Sequence, residues 1–291
     1  MSGIGFGTPI EPEGPAGPAA LDMARRGSQR RNAVISTVST VVFFALVIGV
    51  IAASPGANKV LDSFFSTTGF KDSFEPILDG FWLNVKLMLV AEGLVLVLGL
   101  LVAVIRSLPG PVLAPLRLVA LIYTDVFRGV PLILVIFMVG LGLPALRLEF
   151  LSDLSVFTYG VISLVLVYSA YVAEVYRAGI ESIHPSQAAG ARSLGLTQFQ
   201  SMRFVILPQA IRRVIPPLLN DFIGLQKDTA LIGLLGLVEV ARAAENYAAE
   251  TFNFTGYTMA ALLFIAVTIP LARTTDWLIL RDRRRMAATA G

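Results

Sequence analysis

The chain has 291 residues, 55% of them hydrophobic and 15% charged, and a mean hydropathy of +0.75, values that exclude an ordinary soluble domain and indicate an integral membrane protein. The net charge of +3 is too small, and its arginines too closely tied to the ends of apolar runs, for nucleic-acid binding. Without cysteine there is no disulfide, thiolate metal site or cysteine nucleophile, and one histidine, His184, does not make a metal site.

Residues 1–32 are rich in Gly, Pro and Ala and then basic at Arg25, Arg26, Arg30 and Arg31, so they read as a disordered cytoplasmic tail. Residues 33–79 read as an N-terminal anchor helix and an external loop. Six helical spans are expected in all, at about 33–53, 82–105, 117–142, 157–179, 210–238 and 256–280, each long enough for the ~30 Å of hydrocarbon. Long apolar runs of this kind fit bundled helices and not the short alternating strands of a barrel. With the first arginine cluster inside, Arg106, Arg117, Arg177, Arg192, Arg203, Arg212, Arg213 and the cluster 281–285 all fall inside too. Both termini are then cytoplasmic in a multi-pass protein of the cell membrane.

Polar groups within the spans each need a partner or a task, because they cost about 2.5–3.5 kcal/mol at the bilayer centre. Asp125 with Arg128, and Glu174 with Arg177, stand three apart on a helix and read as structural ion pairs. Glu92, Lys227 and Asp228 lie deeper. They read either as lining a translocation path or, for Glu92 and Lys227, as a pair that ties two spans together. Pro216-Pro217 predicts a kink near the start of the fifth span. Ser169, Ala170 and Ala173 on the fourth span allow close helix approach.

The cytoplasmic loop 180–209 is too polar to span and reads as two short helices. Ser186 is placed to cap the first, over 187–194, and Gly195 to stop it in a left-handed conformation. Thr197 with Gln200 forms a capping-box pattern for the second, which Pro208 is expected to break.

Ala189-Gly190-Ala191, then Gly195, then Val205-Ile206-Leu207-Pro208, resembles the signature loop of permease subunits of ATP-binding-cassette importers. The resemblance extends over roughly 80–285. YTDVFRGVPL at 123–132, AYVAEVYRAG at 170–179, LPQA at 207–210, KDTAL at 227–231 and Glu239 all look like the branch that takes up polar amino acids. It implies an all-α permease domain with a five-helix core and an added N-terminal anchor. It also implies that Ser186, Gln187, Ala188, Ala189, Gly190, Ala191, Arg192, Leu194, Gly195, Leu207 and Pro208 form a coupling helix and its flanks, seated on an ATPase subunit. Two positions depart from the family pattern, Ala189 where an acid is usual and Gly190 where alanine is. The glycine costs the helix roughly 1 kcal/mol.

The resemblance further implies a second permease subunit, the same chain or another, an extracytoplasmic solute-binding protein, an amino-acid substrate and a lipid surround. No cofactor is expected in this chain, which has no G-x-x-x-x-G-K-[ST] phosphate loop; ATP and Mg belong to the partner ATPase. The chain is therefore expected to transport and not to catalyse. The alternative is an ion-coupled carrier or channel using Glu92, Lys227 and Asp228 as ion sites.

Overall fold

The computed structural model describes residues 18–108 and 110–289, with side chains over 31–108 and 110–281. Among the described residues all regular structure is helical. The chain divides into one unit ending at Val60 and a second starting at Leu61. In the first, α1 (Pro18–Ala52) is a single helix whose stretch Arg31–Ala52 is long and apolar enough to cross a membrane. The expected boundary between tail and anchor at residue 32 thus falls inside a helix, and residues 1–17 of the expected tail lie outside the described residues. Residues 19–25, Ala-Ala-Leu-Asp-Met-Ala-Arg, are mostly strong helix formers, so nothing stops the helix from running back into the basic cluster.

The expected external loop 54–81 is also largely helical. It holds α2 (Ala57–Phe64) and the first turns of α3 (Thr67–Ser107), which Ser66 caps by accepting from Gly69 N at 3.2 Å. Gly69, Ser73, Ile77 and Gly80 are buried along one stripe of α3 at helical spacing, so this segment extends the span beyond its apolar core instead of looping back. Ile77 packs with Val240, Ala244 and Met259, which belong to helices described below.

Next comes α4 (Ala114–Gly129), then α5 (Leu132–Phe137), which passes through a wide π turn into α6 (Leu143–Ala145). The expected third span is therefore broken, with a bend of 108° between its halves. The cause is local. Pro131 forces Val130 into extended backbone (φ −90°, ψ 131°), which ends α4 and restarts the helix in a new direction. After the short α7 (Glu149–Ser152), α8 (Val156–Glu181) runs through the centre of the bundle, capped by Ser155. Its longest packing partner is α3. A Cβ on Gly99 would stand 2.7 Å from the Val172 side chain and 3.2 Å from Ser169 O, so the two helices approach as closely as the small residues allow. Ser169, Ala170 and Ala173 are all buried, as expected for packing.

Beyond α8 the loop carries α9 (Pro185–Ser193) and α10 (Gln198–Ser201). Pro208 does not break the chain's helical path. A π turn over Met202–Ile206 widens the helix, and α11 (Leu207–Asp228) continues from it with Pro208 in the first turn, where the missing N–H is absorbed. α11 is also continuous across Pro216-Pro217. It ends in a 3-10 stretch, Thr229–Leu235, followed by α12 (Val240–Thr251) and α13 (Thr255–Thr289). The main core, with Leu87, Ala91, Val95, Leu164 and Leu225 at its centre, lies where α3, α8 and α11 meet.

By length and composition four described helices can cross a membrane, or five if the bent α4–α6 path is one span, against the six expected. The helix that falls short is α11. It carries Arg212, Arg213, Asn220, Asp221, Lys227 and Asp228 within its 22 residues, and it is amphipathic where a lipid-facing span would be apolar throughout.

Candidate functional site

The loop between α8 and α11 is built by short-range hydrogen bonds. The cap of α9 is His184, whose Nδ1 accepts from Ser186 N at 3.2 Å, and Pro185 occupies the first turn. Ser186 was expected in that role. Proline at the first helical position shifts the start two residues earlier, and the Ser186 hydroxyl instead meets His184 Nδ1 at 2.7 Å. Gly195 does stop the helix as expected, at φ +85°. Its N–H donates to Arg192 O at 2.9 Å and Leu196 N–H donates to Ala191 O at 3.2 Å, the paired bonds of a Schellman motif. The capping box is present too: Thr197 N donates to Gln200 Oε1 at 2.9 Å, and Gln200 N to Thr197 Oγ1 at 3.2 Å.

Ala191 turns inward, whereas Ser186, Gln187, Ala189, Gly190, Arg192 and Gly195 are exposed and Ala188 is half-buried. Leu194 and Phe199 present apolar side chains at 84% and 72% exposure, and Leu207 and Pro208 are exposed behind them. The loop is tied to the bundle by Arg213, which donates to Ser182 O, and by a long contact from Gln209 Nε2 to Gln187 Oε1 at 3.4 Å.

A second site arises at the bend. Where α4 stops, α5, α8 and α11 enclose a cavity of about 390 Å³, within the range of small-molecule sites. Its polar wall is formed by Arg128, Tyr168, Asn220, Asp221 and Asp228. Tyr168 Oη donates to Asp228 Oδ2 at 2.7 Å. Asn220, Asp221, Gly224 and Asp228 share one face of α11, at helical spacing.

The expected path residues are thus divided. Asp228 is in the cavity wall. Lys227, its neighbour in sequence, is exposed on another flank of α11, beside an apolar recess formed with Phe264, Ile265 and Thr268 of α13. Glu92 on α3 is half-buried outside the cavity wall, and no ion pair joins it to Lys227 among the described residues. The expected pairs fare differently as well. Glu174 binds Arg177 within α8 as expected and, in addition, Arg106 of α3 at 2.9 Å. Asp125 is exposed and makes no ion pair with Arg128, whose guanidinium lies over the Tyr171 ring with its Nη1 4.0 Å from Glu174. Arg128 therefore stands between the Glu174 cluster and the cavity.

One buried polar cluster was not foreseen, although Glu239 had been noted as part of a motif. Glu239 is fully buried at the start of α12, where its carboxylate accepts from Ala241 N at 2.9 Å and Arg242 N at 2.8 Å. Asn84 of α3 completes it. Its Nδ2 donates to Glu239 Oε2 at 3.2 Å and to Thr229 Oγ1 at 3.0 Å, and its Oδ1 accepts from Val240 N at 3.0 Å. Gly80 permits the approach, since a Cβ there would stand 2.7 Å from Val240 N. The carboxylate is held by backbone N–H groups at a helix N-terminus instead of by a basic side chain.

Comparison with known proteins assigns this architecture. Residues 95–284 match the family described as "Binding-protein-dependent transport system inner membrane component", and the chain belongs to that family. The "Probable glutamine ABC transporter permease protein GlnM" of Bacillus subtilis is 36% identical over 208 residues, 71% of this chain and 93% of that protein. The "Arginine transport system permease protein ArtQ" of the same organism is 35% identical over 178 residues, 61% of this chain and 78% of that one. A crystal structure of an amino acid ABC transporter with histidines superposes with a TM-score of 0.66 at 32% identity, covering 74% of this chain and 96% of its own. An inward-facing methionine ABC transporter shares the fold, with a TM-score of 0.59 at 19% identity over 72% of this chain and 96% of its own.

The chain is therefore an importer permease of the polar amino-acid group and a multi-pass membrane protein. Members of the family are permease subunits and not enzymes. Membership supports the permease reading over the ion-coupled carrier or channel.

Proposed function

We propose that the chain imports an amino acid as half of a permease pair, driven by ATP hydrolysis in a separate ATPase subunit on which α9 docks. ATP and Mg are bound by that subunit, and an extracytoplasmic binding protein delivers the solute. Both termini of the permease lie in the cytoplasm, on the side of the α9–α10 loop. The path for the solute runs through the cavity at the α4–α5 bend, with Asp228 in its wall and Glu92 and Lys227 outside that wall.

The observation that carries this reading is the loop itself. Its two short helices are capped internally and still leave Leu194 and Phe199 almost wholly exposed at the tip, an arrangement that suits a surface waiting for a partner. The chain's relatives are ABC transporter permeases, which supports the same assignment.

Gly195→Asp tests it. The left-handed backbone at φ +85° costs a non-glycine residue about 1–2 kcal/mol, less for aspartate than for most, so the subunit should still insert and assemble. The added charge falls in the docking surface. With the ATPase and the binding protein in proteoliposomes, ATP-driven amino-acid uptake should be lost although the complex remains intact by size-exclusion chromatography. Uptake at the parental rate would remove α9 from the coupling role.

A further inference from the structure

The cavity at the bend is short of positive charge. Its wall holds two carboxylates, Asp221 and Asp228, against one guanidinium, Arg128, and that guanidinium also lies 4.0 Å from Glu174. Lys227, the other cation nearby in sequence, sits on a different flank of α11 and lines a separate recess. Asp228 has a donor in Tyr168. Asp221 does not: its Oδ2 is buried and has no hydrogen-bond partner among the described residues. A carboxylate oxygen buried without a donor is costly, and a cation brought beside that carboxylate from the cavity offsets part of the cost.

The backbone adds to the imbalance. Gly129 and Val130 line the cavity at the C-terminal end of α4, which carries the negative end of the helix dipole; of its last-turn carbonyls, Val126 O accepts from Val130 N and Arg128 O from Tyr171 Oη at 3.5 Å. A guest amino acid brings one carboxylate and one ammonium. Its carboxylate matches Arg128 and its ammonium one of the two aspartates, which leaves the second aspartate and the α4 carbonyls facing the guest's side chain.

We propose that this cavity selects amino acids with a positively charged side chain, the side-chain cation facing the Asp221 and Asp228 carboxylates. This rests on the reading that the cavity lies on the solute path of an amino-acid permease. A neutral polar side chain would leave Asp221 short of a counter-charge, and an acidic one would bring a third carboxylate into the same space. The selectivity belongs to the permease and is separate from whatever the delivering protein prefers.

The test uses the permease purified in complex with its ATPase, without the binding protein, and measures equilibrium binding of radiolabelled L-arginine, L-glutamine and L-glutamate. Arginine should bind about tenfold tighter than glutamine or better, and glutamate weakest of the three. Equal binding, or tighter binding of glutamate, overturns the proposal. In Asp221→Asn the ratio of arginine to glutamine affinity should fall by about tenfold, and an unchanged ratio overturns it as well. If that variant does not assemble, the order of the three ligands on the parent complex decides alone. The two readings fail differently. Binding without charge preference removes only the selectivity, whereas a complex that binds none of the three and imports none when binding protein and ATP are supplied removes the permease reading with it.

Discussion

Replacing Asn84 tests whether the buried cluster around Glu239 holds α3, the 3-10 stretch and α12 together. In Asn84→Ala, Val240 loses the acceptor for its buried N–H, a cost of about 1–3 kcal/mol. Glu239 loses one of its three donors, a charge-assisted bond worth about 1.5–3 kcal/mol, while keeping those from Ala241 and Arg242. Together these give about 2.5–6 kcal/mol, before any relaxation lets a water in. Asn84→Asp keeps the shape and the acceptor for Val240, but replaces the donating nitrogen by a carboxylate oxygen 3.2 Å from Glu239 Oε2. At an effective dielectric of 20 that repulsion is about 5 kcal/mol unless the pair takes up a proton, so the aspartate variant should be at least as damaged as the alanine one. Thermal melting of the purified complex, followed by tryptophan fluorescence with Trp82 on the same helix, reads the loss directly. If Asn84→Ala melts at the parental temperature, the cluster is not a tie between these elements and the hydrogen-bond accounting is wrong.

The orientation can be checked on the chain as it stands, because it has no cysteine to remove. Single cysteines at the exposed Ser152 and Thr251 should react with an impermeant maleimide added outside intact cells, and one at Ser193 should not; labelling at Ser193 would invert the topology. At the other end of the bundle, Glu174→Gln leaves Arg106, only 13% exposed, without its carboxylate, and should lower stability by about 2 kcal/mol or more, read as a drop in melting temperature. Arg128→Gln removes a partner at 4.0 Å that is 41% exposed and should cost under about 1 kcal/mol of stability, while weakening amino-acid binding. A reversed order of these two melting temperatures would mean that Arg128 and not Arg106 is the main partner of Glu174.

Features set within a few residues of one another were legible in the sequence. The stop at Gly195 and the Thr197–Gln200 capping box depend only on neighbours along the chain, and both appear as read. The misassigned cap shows the limit of that reasoning: serine is the commoner capping residue, but Pro185 marks the first helical position and so makes His184 the cap. The cavity was harder to see because its walls come from three helices and a bend. Asp221 stands seven residues before Asp228 on the same face of α11, a spacing that could have linked them. Its depth was hidden by the expectation that a span is apolar all round. Gly129-Val130-Pro131 was quoted as part of a motif, yet its mechanical content, an extended residue forced by the proline that follows it, determines where α4 stops and where the cavity opens.

The position of α11 connects the two candidate sites. It begins at Leu207, behind the docking loop, and carries Asp221 and Asp228 in the cavity wall, with no interruption between. From Leu207 to Asp221 the axial rise is about 21 Å at 1.5 Å per residue. Gly179 on α8 lets the base of α11 come close, since any Cβ there would collide with the Val214 side chain, and Arg213 fixes the same turn to Ser182 O at the end of α8. If α9 docks on the ATPase as proposed, α11 is the element that joins the docking loop to the cavity, held to α8 at its base, and the π turn over Met202–Ile206 lies just outside that hold, between loop and helix.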